Sequence, residues 1–285
     1  MSDALEVRGL RKTYDDFTLN DVSFTLPEGS IMGFVGQNGA GKTTTIKLIF
    51  NMIGRDGGEI KVLGLDNLRD ELAIKQDLAA VFDEIFFVDT WRVAEVEKVV
   101  SGFYQNWDHS QYTGYLKQFE LASNKKISEL SRGMKMKLML AVAMSHGARL
   151  LILDEPTSGL DPVARDELLD ILLDYIGDGV KSVFFSTHIT SDLDRIADYI
   201  TLIDHGHIFY TGKKDELLEH FSIVKGGKED LSDELRHKLI GQSATRDGFI
   251  GMLPASEVTG LAADLTIEPP TIDEILVYIS KGEAR

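Results

Sequence analysis

Cysteine is absent from this 285-residue chain. Disulfides, thiolate zinc sites and cysteine nucleophiles are therefore all excluded. Long apolar runs are missing as well, because the longest stretches, 138–144 and 150–153, are far shorter than the roughly 20 residues that span a bilayer. We therefore expect the chain itself to cross no membrane, so that any role at a membrane requires another subunit.

Basic residues are scarce relative to acidic ones. The chain has 30 Lys and Arg against 46 Asp and Glu, which gives a formal net charge of −16. A chain this acidic is poorly suited to hold a phosphate backbone over a broad surface, and we expect no nucleic-acid partner. The hydrophobic fraction of 43% is ordinary for a folded protein and argues against disorder.

Strand-like and helix-like segments alternate along most of the chain, which predicts an α/β fold with a mainly parallel core sheet and helices on both faces. The segments before residue 30 alternate like paired strands and predict an additional antiparallel β part. Residues 66–146 are mostly helical in pattern, and we expect a helical subdomain over about 84–146. The pattern changes near residue 221, so we predict a main domain over 1–220 and a small α+β appendage over 221–285.

A glycine-rich segment at 36–43 fits the phosphate-loop pattern G-x-x-x-x-G-K-[ST] in full. An apolar run precedes it and a predicted helix follows, which is the context in which such a loop binds a nucleoside triphosphate. Backbone N–H groups and the helix N-terminus would face the phosphate oxygens. We expect Lys42 to reach the β- and γ-phosphates of ATP and the Thr43 hydroxyl to bind Mg²⁺. The predicted phosphate-binding residues are Gly36, Asn38, Gly39, Ala40, Gly41, Lys42, Thr43 and Thr44.

Two acidic residues, Asp154 and Glu155, end the apolar run 150–153. Ligands gather beyond the carboxyl ends of strands in a parallel sheet, so we expect Asp154 to bind Mg²⁺ directly or through water. Glu155 would polarise the attacking water as a general base. His188 follows another apolar run and could hold the water and Glu155 in register. The alternative, ordinary solvated strand ends, is disfavoured by the phosphate loop upstream.

The order of these motifs resembles that of the ATPase subunits of ABC transporters. The segment L-S-R-G-M at 130–134 begins a predicted helix upstream of the acidic pair, and S-G-L-D at 158–161 follows the pair. Ser131 and Asp161 are predicted to cap the helices that follow them, with Pro162 in the first position of the second helix. The segment at 130–134 separates this family from other phosphate-loop enzymes. The resemblance covers residues 4–220 and implies the fold of a phosphate-loop ABC ATPase.

Further roles follow from the resemblance alone. Tyr14 matches the aromatic residue that stacks on adenine, with strand packing as the alternative. Ser131 and Gly133 match the signature that contacts the γ-phosphate bound to the opposite subunit, and Asp161 matches a loop that crosses the dimer interface. The resemblance thus implies a head-to-tail pair of ATPase subunits, identical or paralogous, with two nucleotides between them.

Two departures from the family pattern stand out. Arg132 and Met134 replace the usual glycine and glutamine of the signature, while Ser131 and Gly133 remain. Where the family has a glutamine after a strand, this chain has Asp83, which we expect to ligate Mg²⁺, with Glu84 as the alternative match.

The sequence is also similar to ATPase subunits of bacterial exporters whose membrane subunits are separate chains. That similarity implies a transmembrane permease partner, ATP-driven dimer closure and a location at the cytoplasmic face of the plasma membrane. Phe86, Phe87 and Trp91 are candidate contacts for a cytoplasmic helix of the partner, with core packing as the alternative.

Two other functions are alternatives to transport. A soluble ABC ATPase acting on DNA, chromosomes or ribosomes is disfavoured by the acidic charge, the single cassette and the lack of heptads between the phosphate loop and the signature. A nucleotide-binding regulator that barely hydrolyses ATP is disfavoured by Glu155.

Overall fold

The computed structural model of the chain describes residues 2–82, 86–177, 179–259, 261 and 264–283. It divides into two units, Met1–Thr211 and Gly212–Arg285. The division lies ahead of the change in sequence pattern near residue 221, because the short helix Lys214–His220 belongs to the second unit.

The first unit combines two sheets with seven helices among its described residues. In chain order the strands are β1 (Asp3–Thr13), β2 (Thr18–Pro27), β3 (Ile31–Val35), β4 (Gly57–Val62), β5 (Leu65–Asp66), β6 (Leu78–Val81), β7 (Leu150–Asp154), β8 (Ser182–Thr187), β9 (Tyr199–Asp204) and β10 (His207–Lys213). The helices are α1 (Lys42–Ile49), α2 (Glu71–Asp77), α3 (Val93–Val100), α4 (His109–Gln118), α5 (Arg132–Met144), α6 (Pro162–Tyr175) and α7 (Thr190–Ile196).

The larger sheet places the candidate site. Its strand order is β10-β9-β3-β8-β7-β6, and β8 pairs in parallel with both β3 and β7. All three of these strands are buried along their whole length, as expected for central strands covered on both faces. The register sets Val35 beside Thr187 and Asp154 beside Ser186, so the segments that follow β3, β7 and β8 leave the same edge of the sheet.

The smaller sheet is antiparallel, in the order β2-β1-β4-β5, and it confirms the predicted antiparallel part. Burial alternates along β2, so that one face packs on the core. Phe24 from this sheet lies against Phe34 and Phe184 of the parallel sheet, with ring centroids 5.3 to 5.5 Å apart among the three rings. This aromatic contact joins the two sheets.

The helical region between β6 and β7 contains α3, α4 and α5. The N-terminus of α5 is capped by Ser131, whose Oγ accepts from the Met134 N–H at 3.3 Å, as the sequence predicted. At its other end the buried ring of His146 stacks on Tyr104 with centroids 3.8 Å apart. Burial lowers the pKa of His146, so this packing uses the neutral imidazole.

Two features of this region differ from the sequence prediction. The stretch predicted to be mostly helical contains β6, because its four residues pair in parallel with β7 at the edge of the larger sheet. The sequence favours Asp89 or Thr90 as the cap of a helix through Val93–Phe103. Instead α3 begins at Val93, and the backbone N–H of Arg92 donates to Glu95 Oε2 at 2.7 Å.

The second unit is α+β. Its elements are α8 (Lys214–His220), β11 (Phe221–Gly227), α9 (Asp233–Lys238), β12 (Gly241–Ala244), β13 (Gly248–Pro254), β14 (Thr266–Glu268) and α10 (Ile272–Glu283). The strands form an antiparallel sheet in the order β12-β13-β11-β14. Val224, Leu235, Phe249 and Leu253 form the centre of its core.

Two features of the second unit differ from its sequence pattern. The pattern at 256–262 predicts a helix, yet the described residues there include only a short 3-10 turn, Ala255–Glu257. Strand β12 was not predicted, because its polar sequence Gly-Gln-Ser-Ala lacks the apolar alternation of a strand. Antiparallel pairing with β13 stabilises this strand despite its polar sequence. In neither unit does a described helix combine the length and the apolar character needed to cross a membrane.

Candidate functional site

The segment between β3 and α1 forms a tight loop whose glycines are needed by its backbone. Gly39 and Gly41 have φ values of +85° and +115°, which side chains rarely allow. A Cβ at Gly36 would lie 2.2 Å from the carbonyl oxygen of Ile203. Glycine at these positions therefore lets the loop turn tightly into the N-terminus of α1, where backbone N–H groups can face an anion.

Lys42 is almost fully buried beneath this loop, with 6% of its surface exposed. Its ammonium donates to the carbonyl oxygens of Gly36 and Gln37, at 2.8 and 3.2 Å. It also lies 3.2 Å from Glu155 Oε1. The charge of Lys42 is thus held between the phosphate loop and the acid that follows β7.

Asp154 is held by a hydroxyl on each side. Its Oδ2 accepts from Thr43 Oγ1 at 2.9 Å, and its Oδ1 accepts from Ser186 Oγ at 2.6 Å. The carboxylate is buried with 6% exposure. Ser186 was not predicted as a site residue, although its place at the end of an apolar strand beside the acidic pair was a usable signal.

Glu155 has an unusual backbone for a side chain of its size, with φ +50°. Such a left-handed residue costs about 1–3 kcal/mol and persists only where its surroundings enforce it. Here its N–H donates to Ser186 Oγ at 3.0 Å, and its Oε2 lies 2.7 Å from His188 Nδ1, which donates when that nitrogen carries the proton. Oε1 is buried and lies 3.2 Å from the Lys42 ammonium, so the two oxygens of this carboxylate face a lysine and a histidine.

A cavity of about 580 Å³ opens over these groups. It is lined by Asp16, Phe17, Asn38, Gly39, Gly41, Lys42, Thr43, Thr44, Glu155 and His205. Most of the predicted phosphate-binding residues therefore surround one space together with the predicted general base. The size is sufficient for a bound small molecule.

Comparison with known proteins decides the family. The sequence profile of a family described as ABC transporter matches residues 19–158. Nod factor export ATP-binding protein I of Rhizobium leguminosarum bv. viciae is 31% identical over 255 residues, which cover 80% of this chain and 77% of that protein. The chain belongs to the ABC transporter ATP-binding family. The ABC transporter ATP-binding protein YtrB of Bacillus subtilis is 29% identical over 218 residues, covering 76% of this chain and 74% of YtrB.

Solved structures agree with this assignment. A structure described as the ATP binding subunit of an ABC transporter is 26% identical and has a TM-score of 0.69, with 75% of this chain and 91% of that chain covered. The cbiO1 structure from Clostridium perfringens, at 20% identity and a TM-score of 0.64, shares the fold over 76% of this chain and 91% of its own. The predicted fold class is confirmed, and the protein is an ABC ATPase that binds ATP and hydrolyses it to power transport.

Three residues that line the ABC ATPase cavity were not predicted as site residues from the sequence. Asp16, Phe17 and His205 line it, whereas Tyr14 is not among the described lining residues. Tyr14 is 44% exposed, and its backbone N–H donates to the Phe17 carbonyl at 2.8 Å. The Phe17 ring instead lies close to the phosphate loop. A Cβ placed on Gly41 would be only 3.0 Å from the Cζ of Phe17.

The signature segment of this ABC ATPase lies outside that cavity. Ser131 and Arg132 are exposed, and neither they nor Gly133 line the cavity among the described residues. Gly133 allows close packing on α6, since a Cβ there would be 3.3 Å from Ala164 Cβ. Asp161 caps α6 by accepting from the N–H groups of Val163 and Ala164, both at 3.0 Å, with Pro162 in the first turn as predicted.

One predicted metal ligand cannot be placed. Asp83 and its alternative Glu84 lie outside the described residues. The expectation that Asp83 ligates Mg²⁺ therefore stays a prediction.

Proposed function

We propose that this ABC ATPase hydrolyses MgATP at a site completed by a second ATPase subunit, and that hydrolysis drives export through a separate transmembrane subunit at the cytoplasmic face of the plasma membrane. One observation carries the catalytic part of the proposal. Lys42, Thr43, Asp154, Glu155 and His188 form one connected cluster at the ends of neighbouring parallel strands, and Lys42, Thr43 and Glu155 of this cluster line one cavity.

The oxygen donors of this cluster suit magnesium. Thr43 Oγ1 and Asp154 Oδ2 lie 2.9 Å apart, and hydroxyl and carboxylate oxygens are the ligands that Mg²⁺ prefers. These two residues would hold the ion, whose charge would offset that of the triphosphate. Ser186, by donating to the other oxygen of Asp154, keeps that carboxylate in place.

Glu155 is the group that would activate water. Its carboxylate takes a proton from a water molecule as the water oxygen attacks the γ-phosphorus, and the bond from that phosphorus to the β–γ bridging oxygen breaks to leave ADP and phosphate. His188 Nδ1 is 2.7 Å from Oε2 and fixes the carboxylate orientation. Lys42 offsets the negative charge that gathers on the phosphate oxygens.

A second ATPase subunit would add hydrogen-bond donors to the γ-phosphate. The N-terminus of α5, with the Ser131 hydroxyl, is exposed rather than turned into the cavity of its own chain. A helix N-terminus attracts anions, and a serine hydroxyl donates to a phosphate oxygen. Head-to-tail pairing would bring Ser131 and the backbone of Gly133 from one subunit to the γ-phosphate held by the other.

The nucleotide base is expected to stack on Phe17. Phe17→Ala should weaken ATP binding by about fivefold or more, because base–aromatic stacking contributes roughly 1–3 kcal/mol. Tyr14→Ala is the matched comparison, since Tyr14 belongs to the same turn but does not line the cavity. Titration of each purified variant with a fluorescent ATP analogue measures the dissociation constants. A larger loss of affinity in Tyr14→Ala than in Phe17→Ala would assign the stacking role to Tyr14.

The exposed Phe86 is the proposed docking contact for a cytoplasmic helix of the transmembrane subunit. Phe86 is 71% exposed, and its ring packs edge-on against Phe82, with centroids 5.9 Å apart. Phe87 and Trp91 are only partly exposed, so Phe86 is the best contact among the three predicted residues.

Phe86→Asp should abolish co-purification of the transmembrane subunit from membranes, because a carboxylate would replace an apolar contact. ATP binding by the isolated chain should be unchanged. Val180→Asp is the control, since Val180 is also exposed but precedes β8 at the opposite edge of the sheet from the site. Pull-down of the tagged full chain with identification of the membrane proteins measures the result. Undiminished recovery with Phe86→Asp would place the partner elsewhere.

A further inference from the structure

Asp192, a residue with no role in the site described so far, is fully buried with 0% exposure. It lies on α7, in the turn of chain that follows His188. A buried carboxylate is costly unless it is paired and hydrogen-bonded, so the partners of Asp192 show which segments its burial holds together.

The Asp192 carboxylate joins three segments of the chain. Its Oδ2 accepts from the buried Thr157 Oγ1 at 2.6 Å, and Thr157 belongs to the loop that follows β7. Its Oδ1 accepts from Arg165 Nε at 2.6 Å, and Arg165 lies on α6. The Arg165 guanidinium also donates to Ser191 Oγ at 2.5 Å, which ties α6 a second time to α7.

The loop that Asp192 holds carries both Glu155 and Asp161. Glu155 has the left-handed backbone, so its position depends on neighbouring contacts. The loop turns tightly, with Ser158 N–H donating to the Glu155 carbonyl at 3.1 Å and Leu160 N–H donating to the Thr157 carbonyl at 3.2 Å. A fixed Thr157 therefore constrains the residues on both sides of it.

We propose that Asp192 is a positioning residue for ATP hydrolysis, which clamps the loop after β7 to α7 and thereby keeps the Glu155 carboxylate in register with His188. The inference rests on the proposed roles of Glu155 and His188. Asp192 acts through these two residues, since it is fully buried and is not among the described residues that line the cavity. A misplacement of about 1 Å in a catalytic group can lower a rate by about 100-fold, so a modest loosening of this loop has a measurable effect.

The isosteric variants Asp192→Asn and Thr157→Val test the clamp in the full chain purified with its membrane subunit. Asp192→Asn removes the charge that pairs with Arg165, and Thr157→Val removes only the hydroxyl that reaches the loop. We expect Asp192→Asn to lower kcat by about tenfold or more, with the KM for ATP changed less than about twofold, because the phosphate-binding groups are untouched. Thr157→Val should show the same pattern with a smaller loss.

Arg195→Gln is the matched control. Arg195 also joins α7 to α6, and its ion pairs among the described residues are with Asp166 and Asp170 of α6 rather than with the loop after β7. Its loss should leave kcat unchanged even if it lowers the melting temperature. A general stabilising role for the α6–α7 contact predicts instead that Arg195→Gln and Asp192→Asn lose activity in step with stability.

The double variant Asp192→Asn with Glu155→Gln separates positioning from stability. Because Asp192 acts through Glu155, it should cost little further rate once Glu155 has lost its basic group. Wild-type kcat in folded Asp192→Asn and Thr157→Val, or fully multiplicative losses in the double variant, would overturn the inference. Should Asp192→Asn fail to fold, Thr157→Val alone decides. If Glu155→Gln itself keeps its activity, the proposed role of Glu155 as general base is refuted, whatever the effect of Asp192→Asn.

Discussion

Lys42→Ala is expected to lower the rate of ATP hydrolysis by about 100-fold or more, the scale on which one lost electrostatic contact to a transition state acts. The Lys42 ammonium lies at the meeting point of the phosphate loop and the acid after β7, 2.8 Å from the Gly36 carbonyl and 3.2 Å from Glu155 Oε1. Alanine removes both the charge that would meet the β- and γ-phosphates and the partner of Glu155. Phosphate release and equilibrium binding of ATP measure the two consequences separately.

Stability must be followed in the same variant. Glu155 is partly buried, and an acid that loses the lysine paired with it can destabilise the fold. Lys47→Ala is the control, because Lys47 lies on the same helix, in its last turn, away from the phosphate loop. A Lys42→Ala protein that melts like the wild type and still turns over ATP at a comparable rate would contradict the proposed phosphate site.

Glu155→Gln is expected to reduce turnover by about 100-fold or more, in line with the loss of a general base. Glutamine keeps the size of the side chain and can still face Lys42 and His188, so ATP and magnesium binding should persist. The ATP-bound state should therefore accumulate, and with it the pair of ATPase subunits that closes around the nucleotide. Single-turnover kinetics and size-exclusion chromatography in MgATP follow both effects.

Glu167→Gln supplies the control for this substitution. Glu167 is exposed on α6 and pairs with Lys137, so the same chemical change there should alter neither turnover nor association. A Glu155→Gln protein that stays monomeric at saturating MgATP, with its membrane partner present, would count against a site shared between two subunits.

Much of the fold and the candidate site could be predicted because the relevant signals are local in sequence. A fully apolar run such as 31–35, followed by glycines and then by Lys42, predicts strand, loop and helix without any distant contact. The helix starts at Ser131 and Asp161 were predicted for the same reason, since each cap bonds to N–H groups two or three residues away. These elements could therefore be predicted from short stretches of the sequence.

Other parts of the site required contacts between residues far apart in the chain. Ser186 became a partner of Asp154 only because β8 lies beside β7 in a register that aligns the two residues. Phe17 and His205 reached the nucleotide cavity through the packing of two separate turns against the phosphate loop. Asp192 reads as an ordinary helix residue until Thr157 and Arg165 are seen to meet it.

The amino-acid sequence by itself determined the phosphate loop, the acidic pair, the signature segment and the family, because each of these is a short pattern with its own local chemistry. Tertiary structure alone decided the strand order that brings Lys42, Asp154, Glu155 and His188 together, and the hydrogen bonds that hold Glu155 in a left-handed backbone. The physical reason is that sheet pairing and buried charge pairing depend on residues distant in sequence, whose proximity no local pattern encodes.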